Sequence, residues 1–150
     1  MKYLIPLALL VLVFSSCKDK DAENQAAADD ATIKQYISDH NLNATATGSG
    51  LYVVIENEGT GASCNSSSDV RVAYQGYYTN GDIFDESMQT GIEFNLQSVI
   101  AGWTEGIPHF KEGGNGILLI PSALGYGANG TGPIPGNTVL IFNVELIDVL

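Results

Sequence analysis

NGILLIPSALGYGANGTGPIPGNTVLIFNVELIDVL, Asn115–Leu150, is the stretch whose reading decides the fold. It opens on NGILLIP, an apolar run of strand length, and ends on TVLIFNVELIDVL, a second strand that closes the chain. Between them Ser122–Asn137 form one long Gly/Pro loop. Loops longer than about 12 residues are usually functional or disordered. This one carries Leu124, Tyr126 and Ile134 with Pro133 and Pro135, which are not the residues of disorder. It reads as a cover laid over something apolar.

Upstream the same strand pattern continues. LYVVIENEG is a strand from Leu51, and DVRVAYQGYY alternates Val70, Val72 and Tyr74 against Arg71, Ala73 and Gln75. TNGD, Thr79–Asp82, holds an Asn-Gly pair that marks a hairpin. DIFDES and GIEFNL resume extended chain. SVIAGWTEGI, Ser98–Ile107, then breaks the alternation, with Val99, Ile100, Trp103 and Ile107 near helical spacing. Strands, one helix, then strands again predict an α+β fold, an antiparallel sheet curled around one short helix. Trp103, the only tryptophan, lies between Gly102 and Gly106. The glycines read as keeping its approach bare, and Trp103 as the floor of a small apolar pocket.

The chain before Leu51 has a different character. MKYLIPLALLVLVFSSC carries one Lys, an apolar run from Tyr3 to Phe14, and small residues before Cys17. That is a secretory signal over 1–16, too short to span a membrane comfortably. Its end is similar to the lipobox of bacterial lipoproteins, which implies acylation of the Cys17 thiol and attachment to a membrane through an N-terminal lipid. Residues 17–30 are polar and Ala-rich and predict a flexible tether. Ile33, Tyr36, Ile37 and His40 follow i, i+3, i+4, i+7 and predict a short helix over Ala31–Asn41, within a helix-and-linker segment 31–50.

Composition narrows the function classes. The 150 residues hold 6 Lys or Arg against 17 Asp or Glu, a net charge of −11, which repels nucleic acid. Cys17 and Cys64 are the only cysteines, so with Cys17 lipidated the domain has no disulfide framework. Cys64 lies in a polar loop without a histidine nearby and reads as a bystander thiol. No metal-ligand spacing, nucleophile elbow or phosphate loop is present, so neither metal nor cofactor is expected.

Taken in order, VAYQGYYTNGDIFDES, VIAGWTEGI and ILLIPSALGYGANGTGPIPGNTVLIFNVELIDV resemble the FKBP family of peptidyl-prolyl cis-trans isomerases over residues 51–150. The resemblance implies a five- to six-stranded antiparallel sheet around a short helix, with a pocket between them. It implies that Tyr74, Phe84, Ile92, Val99, Trp103, Ile134 and Phe142 hold a proline ring. It implies that the Ile100 N–H and the Tyr126 hydroxyl bond substrate carbonyls, and that Asp85 is a polar contact beside the twisting carbonyl. The substrates implied are proline-containing exported polypeptides, with a macrolide of the FK506 type as a further ligand, in a lipid-anchored protein of the bacterial cell envelope. Leu124, Gly125 and Thr131 depart from the family's usual lid residues. Two other readings of the same pocket stay open at this point: a proline-loop-binding chaperone, and an envelope scaffold without turnover.

Overall fold

Residues 16–150 are described by a computed structural model of the chain. Helix α1 runs Ser16–Asp39 and α2 runs Ala101–Gly106, the latter followed by a 3₁₀ turn at Ile107–His109. The strands are β1 (Ala44–Ala46), β2 (Tyr52–Asn57), β3 (Asp69–Tyr77), β4 (Ile83–Glu86), β5 (Ile92–Asn95), β6 (Gly114–Ile120) and β7 (Leu140–Val149). They form one seven-stranded antiparallel sheet in the order β1-β2-β6-β7-β3-β4, with β5 also paired to β3.

The central strands explain why NGILLIP and TVLIFNVEL carry so little polarity. Side chains alternate across a strand. Leu118 and Ile120 of β6, with Leu140, Phe142, Val144 and Leu146 of β7, pack with Trp103 and Ile107 from the α2 layer. Ile117, Leu119 and Ile141 point the other way and pack with Ile33 of α1. Tyr36 and Ile37 of α1 close over that second cluster. Strands buried on both faces read as continuous apolar runs.

This arrangement corrects the expected architecture. The sheet has seven strands, not five or six, and it is open: the path ends at β1 and β4 without joining them. It is neither closed nor strongly curled around a helix, because its two faces are covered by two helices, one on each side. The strand missing from the expectation is β1, an Ala-Thr-Ala segment whose composition gives no alternation to read. The N-terminal helix is not short either. As described, α1 takes in residues expected as tether as well as those expected as helix. Ala26-Ala27-Ala28 are strong helix formers. Gln25 to Asp29 and Gln35 to Asp39 hydrogen bonds and the Lys34–Asp30 ion pair supply i, i+4 support along the helix. The signal-peptide reading falls outside the described residues apart from Ser16, and the side chain of Cys17 falls outside them too.

Gly102 and Gly106 are also differently used. A β-carbon on Gly102 would stand 2.5 Å from the Ile120 side chain, and one on Gly106 would stand 2.7 Å from Leu118. The glycines face the sheet, not the pocket. They let α2 settle against β6, which presses Trp103 down onto the strands.

Candidate functional site

Trp103 enters the site from the first turn of α2. Ile100 caps that helix in extended conformation, and its carbonyl accepts from the Trp103 and Thr104 amides. The Ile100 N–H precedes the helical ladder and is among the donors that a helix start leaves outside it. Three rings meet the indole near-perpendicularly: Tyr74 of β3 at 5.1 Å, Phe94 of β5 at 5.4 Å and Phe142 of β7 at 5.4 Å between centroids. Phe84 of β4 stands edge-on to Phe142 at 5.5 Å, and Tyr78 lies 5.1 Å from Phe84. Such aromatic pairs are each worth about 0.5–1.5 kcal/mol beyond their buried area. Gly76 on β3 makes the crossing feasible, since a β-carbon there would lie 2.6 Å from the Phe84 ring and 2.7 Å from Phe142.

These rings, Tyr78 apart, bound a cleft of about 620 Å³ that is open to solvent. Trp103 is only 4% exposed, yet it lines the cleft together with Tyr126 and Phe84, so the indole is a floor and not a sealed core residue. Its Nε1–H is buried without a hydrogen-bond partner among the described residues. Leaving a buried donor unmatched costs about 1–3 kcal/mol. Val99, Ile100 and Ser98 form the α2 side of the opening, and the lid loop Ser122–Asn137 forms the other. Lid residues Thr131 and Ile134 bond each other backbone to backbone, and the Tyr78 hydroxyl donates to the Pro133 carbonyl at 3.2 Å. Ile134 is thereby turned inward and buried.

Polar groups are few and grouped. Tyr74 Oη donates to Asp85 Oδ2 at 2.8 Å. Burial, then that bond to Asp85 and its charge, pushes the Tyr74 phenol up from its ordinary 10.0 to about 12. Tyr126, 38% exposed, is also raised, by burial first and then by the charge of Asp85. Both phenols therefore keep their protons at neutral pH and remain donors. A ring-walled cleft whose polar side chains are one carboxylate, two phenols and the hydroxyls of Ser98 and Thr131 suits a neutral amide or imide.

The structure brings nearly all the sequence-predicted residues to this cleft: Tyr74, Phe84, Asp85, Val99, Ile100, Trp103, Tyr126, Ile134 and Phe142 line it. Ile92 does not. It lies opposite Val72 on β5 and is 43% exposed. Phe94 takes the place expected of it, two residues along the same strand, and a ring on the same strand face was the available signal. Thr131, read in the sequence only as a departure on the lid, also lines the cleft, as do Ser98, Gly132 and Pro133, which were missed; turn residues in a lid announce a bend, not what the bend faces.

Comparison with known proteins adds the following. Residues 61–147 match the family described as FKBP-type peptidyl-prolyl cis-trans isomerase. The FKBP-type peptidyl-prolyl cis-trans isomerase FkpA of Buchnera aphidicola subsp. Baizongia pistaciae is 41% identical over 132 residues, covering 87% of this chain and 52% of that protein. FkpA of Escherichia coli (strain K12) is 38% identical over 133 residues, 87% of this chain and 48% of that one. The chain thus spans about half the length of the curated relatives it matches. Among solved structures, FkpA from Escherichia coli superposes with a TM-score of 0.73 at 36% identity, over 87% of this chain and 63% of that one. A peptidyl-prolyl cis-trans isomerase from Pseudomonas syringae pv. tomato superposes with a TM-score of 0.74 at 33% identity, over 85% of this chain and 94% of that one.

Proposed function

The chain belongs to the family of FKBP-type peptidyl-prolyl cis-trans isomerases, and from that premise we propose that it isomerises Xaa-Pro bonds of exported polypeptides by non-covalent catalysis. The observation that carries the reading is the ring-walled cleft floored by Trp103. An amide rotates over a barrier of about 18–20 kcal/mol because twisting breaks its resonance. Xaa-Pro bonds consequently exchange in tens to hundreds of seconds unaided. As the bond twists, the carbonyl loses dipole and the nitrogen becomes pyramidal. A water-poor cleft complementary to that less polar state lowers the barrier without forming a covalent bond.

The residues divide the work accordingly. Trp103, Phe142, Tyr74, Phe84, Val99 and Ile134 hold the proline ring, with Phe94 as a further wall. The Ile100 N–H and the Tyr126 hydroxyl fix the flanking substrate carbonyls. Asp85, held by Tyr74, is the polar contact beside the turning carbonyl and transfers no proton. Macrolides of the FK506 type would occupy the same cleft. Signal residues 1–16 and lipid on Cys17 would place the protein in the bacterial cell envelope.

Exchange NMR on an Xaa-Pro peptide tests the activity. Accelerated exchange is expected, with its loss on addition of FK506. Rates equal to buffer alone would remove the enzyme and leave a proline-binding module.

A further inference from the structure

Asp29 of α1 is a carboxylate only 3% exposed. A buried charge is costly unless its oxygens are hydrogen-bonded. Here both are. Oδ2 accepts from the N–H of Ser122 at 2.8 Å and from its Oγ at 2.6 Å, while Oδ1 accepts from Gln25 Nε2 at 2.7 Å. Ser122 is buried as well, and it is the root of the lid. Its carbonyl accepts from the Gly125 N–H at 3.0 Å and from the Gly127 N–H at 2.8 Å. Those two amides bracket Tyr126. An unbroken run of hydrogen bonds therefore leads from a helix on one face of the sheet to both residues flanking the cleft tyrosine. Charge-assisted bonds of this kind fix geometry as well as adding energy. Attachment of α1 does not depend on them, because Ile33 is buried under the sheet and Asp30 accepts from the Tyr52 hydroxyl at 2.8 Å.

We propose that Asp29 is a positioning residue: by gripping Ser122 it sets where the Tyr126 hydroxyl stands in the cleft, so that α1 tunes turnover from the opposite face of the sheet. This rests on the isomerase reading of the cleft.

The test uses the full chain with D29A, D29N, Y126F, the D29A/Y126F pair, and Y52F, which cuts another α1 tie without touching the lid. D29A is expected to lower kcat/KM about tenfold, chiefly in kcat. D29N should recover most of it, since an amide oxygen still accepts from the Ser122 N–H. Y52F should leave turnover unchanged, and D29A should add little to Y126F. In ¹⁵N spectra the Gly125 and Gly127 amides should shift in D29A but not in Y52F. Losses from D29A and Y126F that multiply, a D29A loss no larger than that of Y52F, or unmoved glycine amides would each overturn the proposal. Should D29A fail to fold, S122A removes one arm of the grip and is expected to show the same glycine shifts with a smaller loss. A wild type without turnover would sink the isomerase reading, and the glycine shifts alone would then decide whether Asp29 sets the lid.

Discussion

The two faces of β6 and β7 are lined by the same strands yet are built to different ends. On the α2 face an aliphatic core carries rings that meet edge to face around a cleft, with a donor on Trp103 left unmatched. On the α1 face the core is mainly aliphatic, closed by a helix, and the buried carboxylate there has its oxygens engaged. The face that admits a ligand keeps a buried donor unmet, while on the face that carries α1 the buried carboxylate has both oxygens hydrogen-bonded. Composition distinguishes them in one respect: the first adds buried Trp103, Phe110 and Phe142 to an aliphatic core, while the fully buried residues of the second are all Ile, Leu or Val.

Substitutions on the two faces should separate accordingly. Trp103→Ala removes the floor, and kcat/KM should fall on the order of 100-fold per folded molecule, a loss of about 2.7 kcal/mol in transition-state stabilisation. A proline-peptide turnover assay with the folded fraction measured by circular dichroism reads it. Leu119→Ala, fully buried on the α1 face, should cost about 2–5 kcal/mol of stability in urea denaturation. Its folded fraction should turn over like wild type. If Leu119→Ala instead damaged turnover as deeply as Trp103→Ala, the two faces would not be separate devices.

A third test concerns pH. The Tyr74 phenol is raised in the folded chain, so its contribution to stability is whole below its ordinary value of 10.0 and is lost as pH rises through about 12. Thermal melts across that window should show wild type losing stability, and Tyr74→Phe losing less of it. The smallest effect belongs to Ile92→Ala. Ile92 stands outside the cleft, so kcat/KM should stay within about twofold of wild type, as is usual for exposed positions. A larger drop would extend the working face along β5.

The cleft was largely legible in the sequence because its residues are of rare types at fixed places: one tryptophan, an acid beside Phe84, a tyrosine within a Gly/Pro lid. The openness of the sheet was not. It goes with α1 lying across β6 and β7, held by Ile33 beneath the sheet and by Tyr52 meeting Asp30, contacts between distant segments that no local pattern encodes. Local reading also mistook the purpose of Gly102 and Gly106. A missing side chain looks the same whether it makes room for a ligand or for Ile120 and Leu118. Ile92 and Phe94 share a strand face, and alternation alone cannot say which of the two reaches the indole.

Because the chain has a single tryptophan and that residue floors the cleft, the protein carries its own optical gauge. Excited at the red edge, beyond the absorption of the seven tyrosines, it emits from one place only. Any molecule seated on the indole changes the fluorophore's surroundings, so occupancy can be titrated on the untagged chain, with no dye attached and no turnover required.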